Sequence, residues 1–341
     1  MLAAVYHGRH DIRVEEWPRP ATPPPGWVTV AITFCGICGT DLEEYLHGPV
    51  VIPTAPHPLT GAHVPLVLGH EGAGIVTAAG VGSGIDIGAR VGLENSVSCG
   101  HCAACLSGNR QLCPDLAVMG LMLDGALAEA VNVPAYMCAP LPAGLPDEAG
   151  ALAESLSVAV RAVRRGGIVA GVDVQVFGAG TIGLMTAQVA RASGAHSVTV
   201  RDLSAARSAR AEAMGFEVAP PDADVGRAPV VIECTGSAAG FRDALAATAK
   251  SGSTVVVGVH DQPREVDLLK LLMDERVILA SLSHSMHGDY IPAIELLSEG
   301  KVDFEPLITD RVPLQNTVDR GFEALVNDPE SHLKIVIDCR P

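Results

Sequence analysis

Val174-Gln175-Val176-Phe177-Gly178-Ala179-Gly180-Thr181-Ile182-Gly183-Leu184 carries an apolar run straight into three glycines spaced G-x-G-x-x-G, and a helix-forming sequence over 182–193 follows without a break. Strand, glycine turn and helix in that order fit a dinucleotide-binding turn. Gly178 permits the tight turn, Gly180 lets backbone approach a pyrophosphate, and Gly183 lets helix and strand pack. The helix start, at Thr181 and Ile182, offers free N–H groups and the positive end of its dipole to the phosphates. In a chain with 36 glycines the motif alone also fits a glycine-rich loop, so its surroundings must decide.

Toward the C-terminus, buried-strand candidates at 197–200, 229–232, 254–259 and 277–282 alternate with helical stretches, and a helical pattern over 149–164 precedes the turn. Such alternation predicts an α/β fold, a doubly wound parallel sheet. Asp202 follows the glycine turn by about 20 residues, where a carboxylate accepts from an adenosine ribose diol and repels a 2′-phosphate. NAD rather than NADP is the expected cofactor, although Arg201 and Arg207 lie close enough in sequence to tolerate a phosphate. Helices over 290–299 and 317–326 and a strand over 334–338 complete the chain.

Toward the N-terminus, residues 1–35 alternate apolar and polar around a proline-rich break, the opening of a β-rich domain. Phe34-Cys35-Gly36-Ile37-Cys38-Gly39-Thr40-Asp41 comes next, then a polar loop of about 25 residues, a length usually functional or disordered. It ends at Gly69-His70-Glu71-Gly72, and strands with glycine turns resume. The expected organisation is a first domain over 1–150, a nucleotide-binding domain over 151–284 inserted into it, and a return over 285–341. No internal repeat is present.

With 48% hydrophobic and 18% charged residues the chain reads as a folded, compact protein. A net charge of −16 with 4% aromatics excludes a nucleic-acid partner, since phosphate neutralisation and base stacking would both lack residues. No apolar run of about 18 residues and no secretory signal pattern appear, so no membrane association is expected and the cytoplasm is the expected compartment. There, nine cysteines favour metal ligation or buried thiols over disulfides.

Cys99, Cys102, Cys105 and Cys113 are spaced C-x2-C-x2-C-x7-C, a pattern that places four thiolates around one tetrahedral zinc ion. Four ligands leave no open position, so that zinc is structural. Cys38 and His70 each sit in a glycine-flanked turn, and a thiolate with an imidazole suits a second zinc. Glu71 reads as a ligand or as a partner behind one, and Asp41 can orient the imidazole. Cys138, Cys234 and Cys339 read as core thiols. His57, His63, His284 and His287 read as surface or rim groups.

Gly36-Ile37-Cys38-Gly39-Thr40-Asp41, Gly69-His70-Glu71, the four-cysteine lobe over 99–113 and the glycine turn, in this order and at these separations, resemble the zinc-dependent medium-chain alcohol dehydrogenases over essentially the whole chain. Glu44-Tyr45-Leu46, Gly48-Pro49, Ile52-Pro53 and His57-Pro58-Leu59-Thr60-Gly61 are most similar to the 2,3-butanediol dehydrogenase branch, whose relatives oxidise polyols such as sorbitol.

The resemblance implies a GroES-like catalytic domain joined to a Rossmann domain, and two Zn²⁺ per subunit, one catalytic and one structural. It makes Cys38 and His70 ligands of the catalytic zinc and Glu71 a carboxylate that exchanges at the metal. The third ligand of the branch is a glutamate in an E-P-L stretch. Here Glu154-Ser155-Leu156 stands there without the proline, which leaves Glu71 and Glu154 both open as the resting third ligand. The resemblance further implies hydride transfer from a zinc-bound alkoxide of a secondary alcohol, vicinal diol or polyol to NAD. Thr40 relays the proton, and Glu43 stands where many relatives have a histidine, which leaves Glu43 itself, the ribose hydroxyls or His47 through water as the outer relay, Glu43 being the expected one. Arg207 packs on adenine, and Thr235, Gly258 and Val259 bring backbone to the nicotinamide half. Dimers or tetramers form through the nucleotide domain. A sugar or cyclitol dehydrogenase, an isomerase or lyase that uses tightly held NAD transiently, and a non-catalytic NAD-binding sensor are the alternatives.

Overall fold

The computed structural model describes residues 1–220, 223 and 226–341. It divides into two units, Met1–Glu154 with Ser285–Ser298 and Ile308–Pro341, and Ser155–His284 with Glu299–Leu307.

The second unit is built on a six-stranded sheet in the order Glu217–Val218, Ser197–Arg201, Asp173–Phe177, Ala228–Glu233, Thr248–Val256, Val277–Ala280. Every pairing in it is parallel. Val174, Val176, Val200, Val231, Ile232 and Val255 are buried, as β-branched residues should be in a sheet covered on both faces. Helices Thr181–Ala192, Ala205–Ala213 and Ala238–Ala247 lie between successive strands in the chain. Phe177 pairs with Arg201 on one side and Glu233 on the other. The glycine turn therefore leaves the sheet where strand order reverses, the point at which open α/β sheets take their ligands.

The first unit is organised around Trp27–Gly36, a ten-residue strand whose alternate side chains Val28, Val30 and Ile32 enter the core. It pairs antiparallel with Glu71–Ala79, Ala130–Pro134 and the C-terminal strand Lys334–Asp338. Register sets Gly36 opposite both Glu71 and Val336. A Cβ on Gly36 would lie 2.0 Å from Glu71 Oε2, so only glycine allows that carboxylate its place. Arg90–Leu93, Cys138–Pro140 and Ile308–Pro313 extend the sheet.

Three expectations are corrected. The start of the expected polar loop is the helix Gly39–His47, with Cys38 at its N-cap and Asp41 accepting from Cys38 N–H at 2.9 Å. The glycines around Cys38 masked its start. The tail over 285–341 does not lie wholly with the first unit: Glu299–Leu307 belongs to the second. There Gln188 ties the segment down, donating to the Asp303 carbonyl at 3.0 Å and accepting from Asp303 N–H at 2.7 Å. The tail helices also begin with π-helical turns, Met286–Tyr290 and Thr317–Phe322. Among the described residues no helix is long and apolar enough to cross a membrane.

Candidate metal and dinucleotide sites

Cys38, His70 and Glu71 arrive from two neighbouring antiparallel strands, Cys38 just past Gly36 and His70 just before Glu71. Their ligand atoms lie within 4.8 Å of one another. His70 Nδ1 lies 3.4 Å from Asp41 Oδ1, and both groups are buried. Burial opposes a charge on His70, but Asp41 and Cys38 outweigh it and hold its pKa well above the usual histidine value. Thr40 Oγ1 lies 3.8 Å from Cys38 Sγ. Glu43, on the same helix, points its side chain to the exposed surface.

Lys334 is the group that the sequence did not announce. The residue is 3% exposed, and its ammonium donates to both Glu71 oxygens, at 2.8 and 2.7 Å, and to the Ile37 carbonyl at 3.0 Å. A lysine heading the apolar strand Lys334-Ile335-Val336-Ile337 was the only available signal. Burial works against its charge, while Glu71 and then Cys38 outweigh it and raise its pKa above the usual lysine value.

Glu154 is buried, yet it lies outside the close group. Its Oε1 accepts from Asn95 Nδ2 at 2.7 Å. Burial first, then Glu154 and Glu94, hold the Tyr290 hydroxyl well above its usual pKa. A thiolate, an imidazole and carboxylates converging in the interior suit a divalent cation of zinc type.

Cys99, Cys102, Cys105 and Cys113 also converge, with ligand atoms within 4.8 Å, and all nine cysteines are free thiols. Cys99 and Cys105 sulfurs are 3.9 Å apart. Thiolates at about 2.3 Å around a tetrahedral zinc stand about 3.8 Å from each other, so the donor set fits that ion. Cys102 caps the short helix Ala103–Leu106, accepting from Cys105 N–H at 3.4 Å. Burial pushes the Cys105 thiol up, but Ser98, Cys102 and the Gly100 backbone bring it down to about 6, while burial drives Cys113 to about 11.

In the second unit the glycine turn has the expected shape. Gly178 has φ of 100°, and a Cβ on Gly183 would lie 1.7 Å from the Gly178 carbonyl oxygen. A Cβ on Gly180 would meet nothing within 4 Å, which leaves the open space a pyrophosphate requires. Gly180 is the N-cap of the helix that begins at Thr181 and Ile182. Asp202 Oδ2 accepts from Ala179 N–H at 2.7 Å and Oδ1 from Ser204 N–H at 2.8 Å, so the carboxylate braces the turn itself. Arg207 is half-buried in the first turn of Ala205–Ala213. Thr235, Gly258 and Val259 lie in the loops that follow the strands Ala228–Glu233 and Thr248–Val256, and Val259 is 89% exposed.

Other residues sort simply. Cys138 and Cys339 are core thiols as expected, whereas Cys234 is half-buried. His63 and His287 are exposed and His57 is half-buried. His284, expected at a surface or rim, is 1% exposed.

Residues 24–143 match the alcohol dehydrogenase GroES-like domain and residues 181–299 the zinc-binding dehydrogenase domain. The chain is 33% identical to (R,R)-butanediol dehydrogenase of Neisseria gonorrhoeae, with 99% of each chain covered. It is 33% identical to human sorbitol dehydrogenase, covering 100% of this chain and 96% of that one. Among solved structures, 2R,3R-butanediol dehydrogenase of Bacillus subtilis superposes with a TM-score of 0.91 at 33% identity, over 100% of this chain and 99% of the other. A zinc-binding dehydrogenase of Sinorhizobium meliloti bound to NADP superposes with a TM-score of 0.88 at 30% identity, over 99% and 98%. A protein of E. coli CFT073 described as a short chain alcohol dehydrogenase, complexed with NADH, superposes with the same score at 26% identity, over 99% of each. Full-length identity at this level reflects common descent, and the chain belongs to the zinc-binding dehydrogenases of the medium-chain alcohol dehydrogenase superfamily, a family of oxidoreductases.

Proposed function

We propose that the protein oxidises a vicinal diol or polyol, of the 2,3-butanediol kind, with NAD and a catalytic zinc. The observation that carries this is the buried convergence of Cys38, His70 and Glu71, in a chain similar end to end to butanediol and sorbitol dehydrogenases. Relatives named as dehydrogenases favour this reading over an isomerase, a lyase or a sensor.

Cys38 and His70 would hold the ion, with Glu71 or Glu154 as third ligand, and Asp41 facing His70 Nδ1 would leave Nε2 for the metal. When bound, zinc supplies Lewis acidity that lowers the pKa of the substrate hydroxyl. Thr40, beside Cys38, takes the hydroxyl proton, and Glu43 at the surface passes it outward. If so, Glu43→Gln alters the acid limb of the pH–rate profile; a profile identical to wild type removes Glu43 from the path. The cysteine lobe holds a second, structural zinc.

Asp202, beside the turn, disfavours a 2′-phosphate by like charge. A panel of diols, polyols and simple alcohols, followed by absorbance of the reduced cofactor, tests both substrate and cofactor. NAD should exceed NADP by at least about tenfold in kcat/KM, and Asp202→Gly should narrow that ratio by about tenfold. Failure of every diol and polyol, with activity on another class, refutes the substrate assignment.

The enzyme is proposed to be a cytoplasmic homodimer or homotetramer. Free thiols throughout suit a reducing compartment. Val277–Ala280 is an edge strand, and nearby Leu268, Leu269, Leu272 and Met273 are 70–72% exposed, a surface that suits burial against a second copy.

A further inference from the structure

Glu233 ends the strand Ala228–Glu233 as a carboxylate with no exposed surface. Its Oε1 accepts from Thr235 N–H at 2.6 Å, from Gly236 N–H at 2.9 Å and from the Thr235 hydroxyl. Its Oε2 lies 3.1 Å from His260 Nε2. Its backbone carbonyl accepts from Val257 and Gly258 N–H, at 2.9 and 3.0 Å. One residue thus ties together two loops, 234–237 and 257–260, that end neighbouring parallel strands.

The loops are in backbone contact. A Cβ on Gly258 would lie 2.2 Å from Gly236 N, and one on Gly236 would lie 2.5 Å from the Val259 carbonyl oxygen. The first loop also lies against the glycine turn, since a Cβ on Gly178 would stand 3.2 Å from the Cys234 carbonyl. A change in how Glu233 is held therefore moves backbone on both sides of the strand-order reversal.

His260 is held in one tautomer. Arg264 Nε donates to His260 Nδ1 at 3.1 Å, and a guanidinium has no acceptor. Nδ1 must carry the lone pair, so Nε2 carries the hydrogen given to Glu233. Arg264 is itself held by Asp261 at 3.3 Å, and Phe241 packs edge-on against the imidazole with centroids 5.6 Å apart. Without the Arg264 donor the ring is free to take the other tautomer. An Nε2 lone pair would then face a carboxylate, and the link between the loops would open.

We infer that Glu233, held by His260 and Arg264, is the positioning group that sets the Thr235–Gly236 and Gly258–Val259 loops for the nicotinamide half of the dinucleotide. This rests on the dehydrogenase reading above. The loops are ordered before the cofactor arrives, so binding does not have to order them. The order of donors and acceptors along the chain, Arg264 to His260 to Glu233, is what keeps them so.

The test is titration of the full-length protein with NADH by fluorescence, beside ADP-ribose, which lacks the nicotinamide. His260→Leu and Arg264→Met should each raise the NADH Kd and the KM for NAD about tenfold, the effect of losing one charge-assisted hydrogen bond, with kcat falling far less. ADP-ribose affinity should stay within about twofold. His260→Gln, whose amide NH2 can donate to Glu233 while its carbonyl oxygen accepts from Arg264, should restore NADH binding. Arg264 lies at the outer end of the chain, so its methionine variant carries the test if His260→Leu does not fold. NADH binding unchanged in Arg264→Met overturns the inference, as does equal loss of NADH and ADP-ribose, or a glutamine variant no better than leucine. A wild type that binds neither ligand overturns the dehydrogenase reading, and this inference with it.

Discussion

Cys38→Ser should lower kcat/KM on the best alcohol by about four orders of magnitude and halve the zinc content of the chain, with NADH binding unchanged. The thiolate is the softest member of a group whose ligand atoms lie within 4.8 Å. A serine hydroxyl is neutral near pH 7 and a poor zinc ligand, so the ion is lost or misplaced. Metal activation of a hydroxyl is worth several kcal/mol, and about 5.5 kcal/mol corresponds to about 10⁴ in rate. Metal analysis with stopped-time assays reads both quantities. The cysteine lobe lies elsewhere in the first unit and should keep its own ion, so the variant should retain about one zinc per chain. Full activity with one zinc fewer would mean that Cys38 is not a catalytic ligand.

Lys334→Met should be the most destabilising single change in the first unit, at about 3–5 kcal/mol, with a fall in Tm on the order of 10 °C. Glu71 has no exposed surface, and both its oxygens are bonded to the Lys334 ammonium. Methionine fills much of the same space but removes the ammonium from a buried carboxylate. Adding Glu71→Gln should recover much of the loss, because the cost is that of a buried carboxylate deprived of its ammonium and not of lost packing. A zinc ion held beside Glu71 would supply positive charge at the same place. The zinc-loaded variant should therefore lose less than the zinc-stripped one, which calorimetry on both forms measures. Equal losses would detach Glu71 from the metal.

These two residues differ in how they could be found. Cys38 was legible because its signal is local: glycines on both sides, a hydroxyl two residues on and a histidine among glycines downstream. The cysteine lobe and the glycine turn were legible for the same reason, since a zinc knot and a phosphate cradle each need particular residues at short fixed spacing. Lys334 is 263 residues from Glu71, and nothing near it in sequence speaks of a carboxylate. Its place follows from the register of the C-terminal strand against Trp27–Gly36 and of that strand against Glu71–Ala79. The distance of Asp202 from the turn makes it a candidate ribose acceptor, but its bond to Ala179 N–H depends on the pairing of two parallel strands.

From the sequence alone came the α/β class, the parallel sheet of the second unit, the two clusters of candidate metal ligands and the glycine turn. Periodicity and short spacings encode those directly. Tertiary structure decided the helix Gly39–His47, the division of the tail, the burial of His284, the Lys334–Glu71 pair and the Glu233–His260–Arg264 chain. Each depends on which strands become neighbours and in what register, and pairing between distant strands leaves no local trace in the residues it joins.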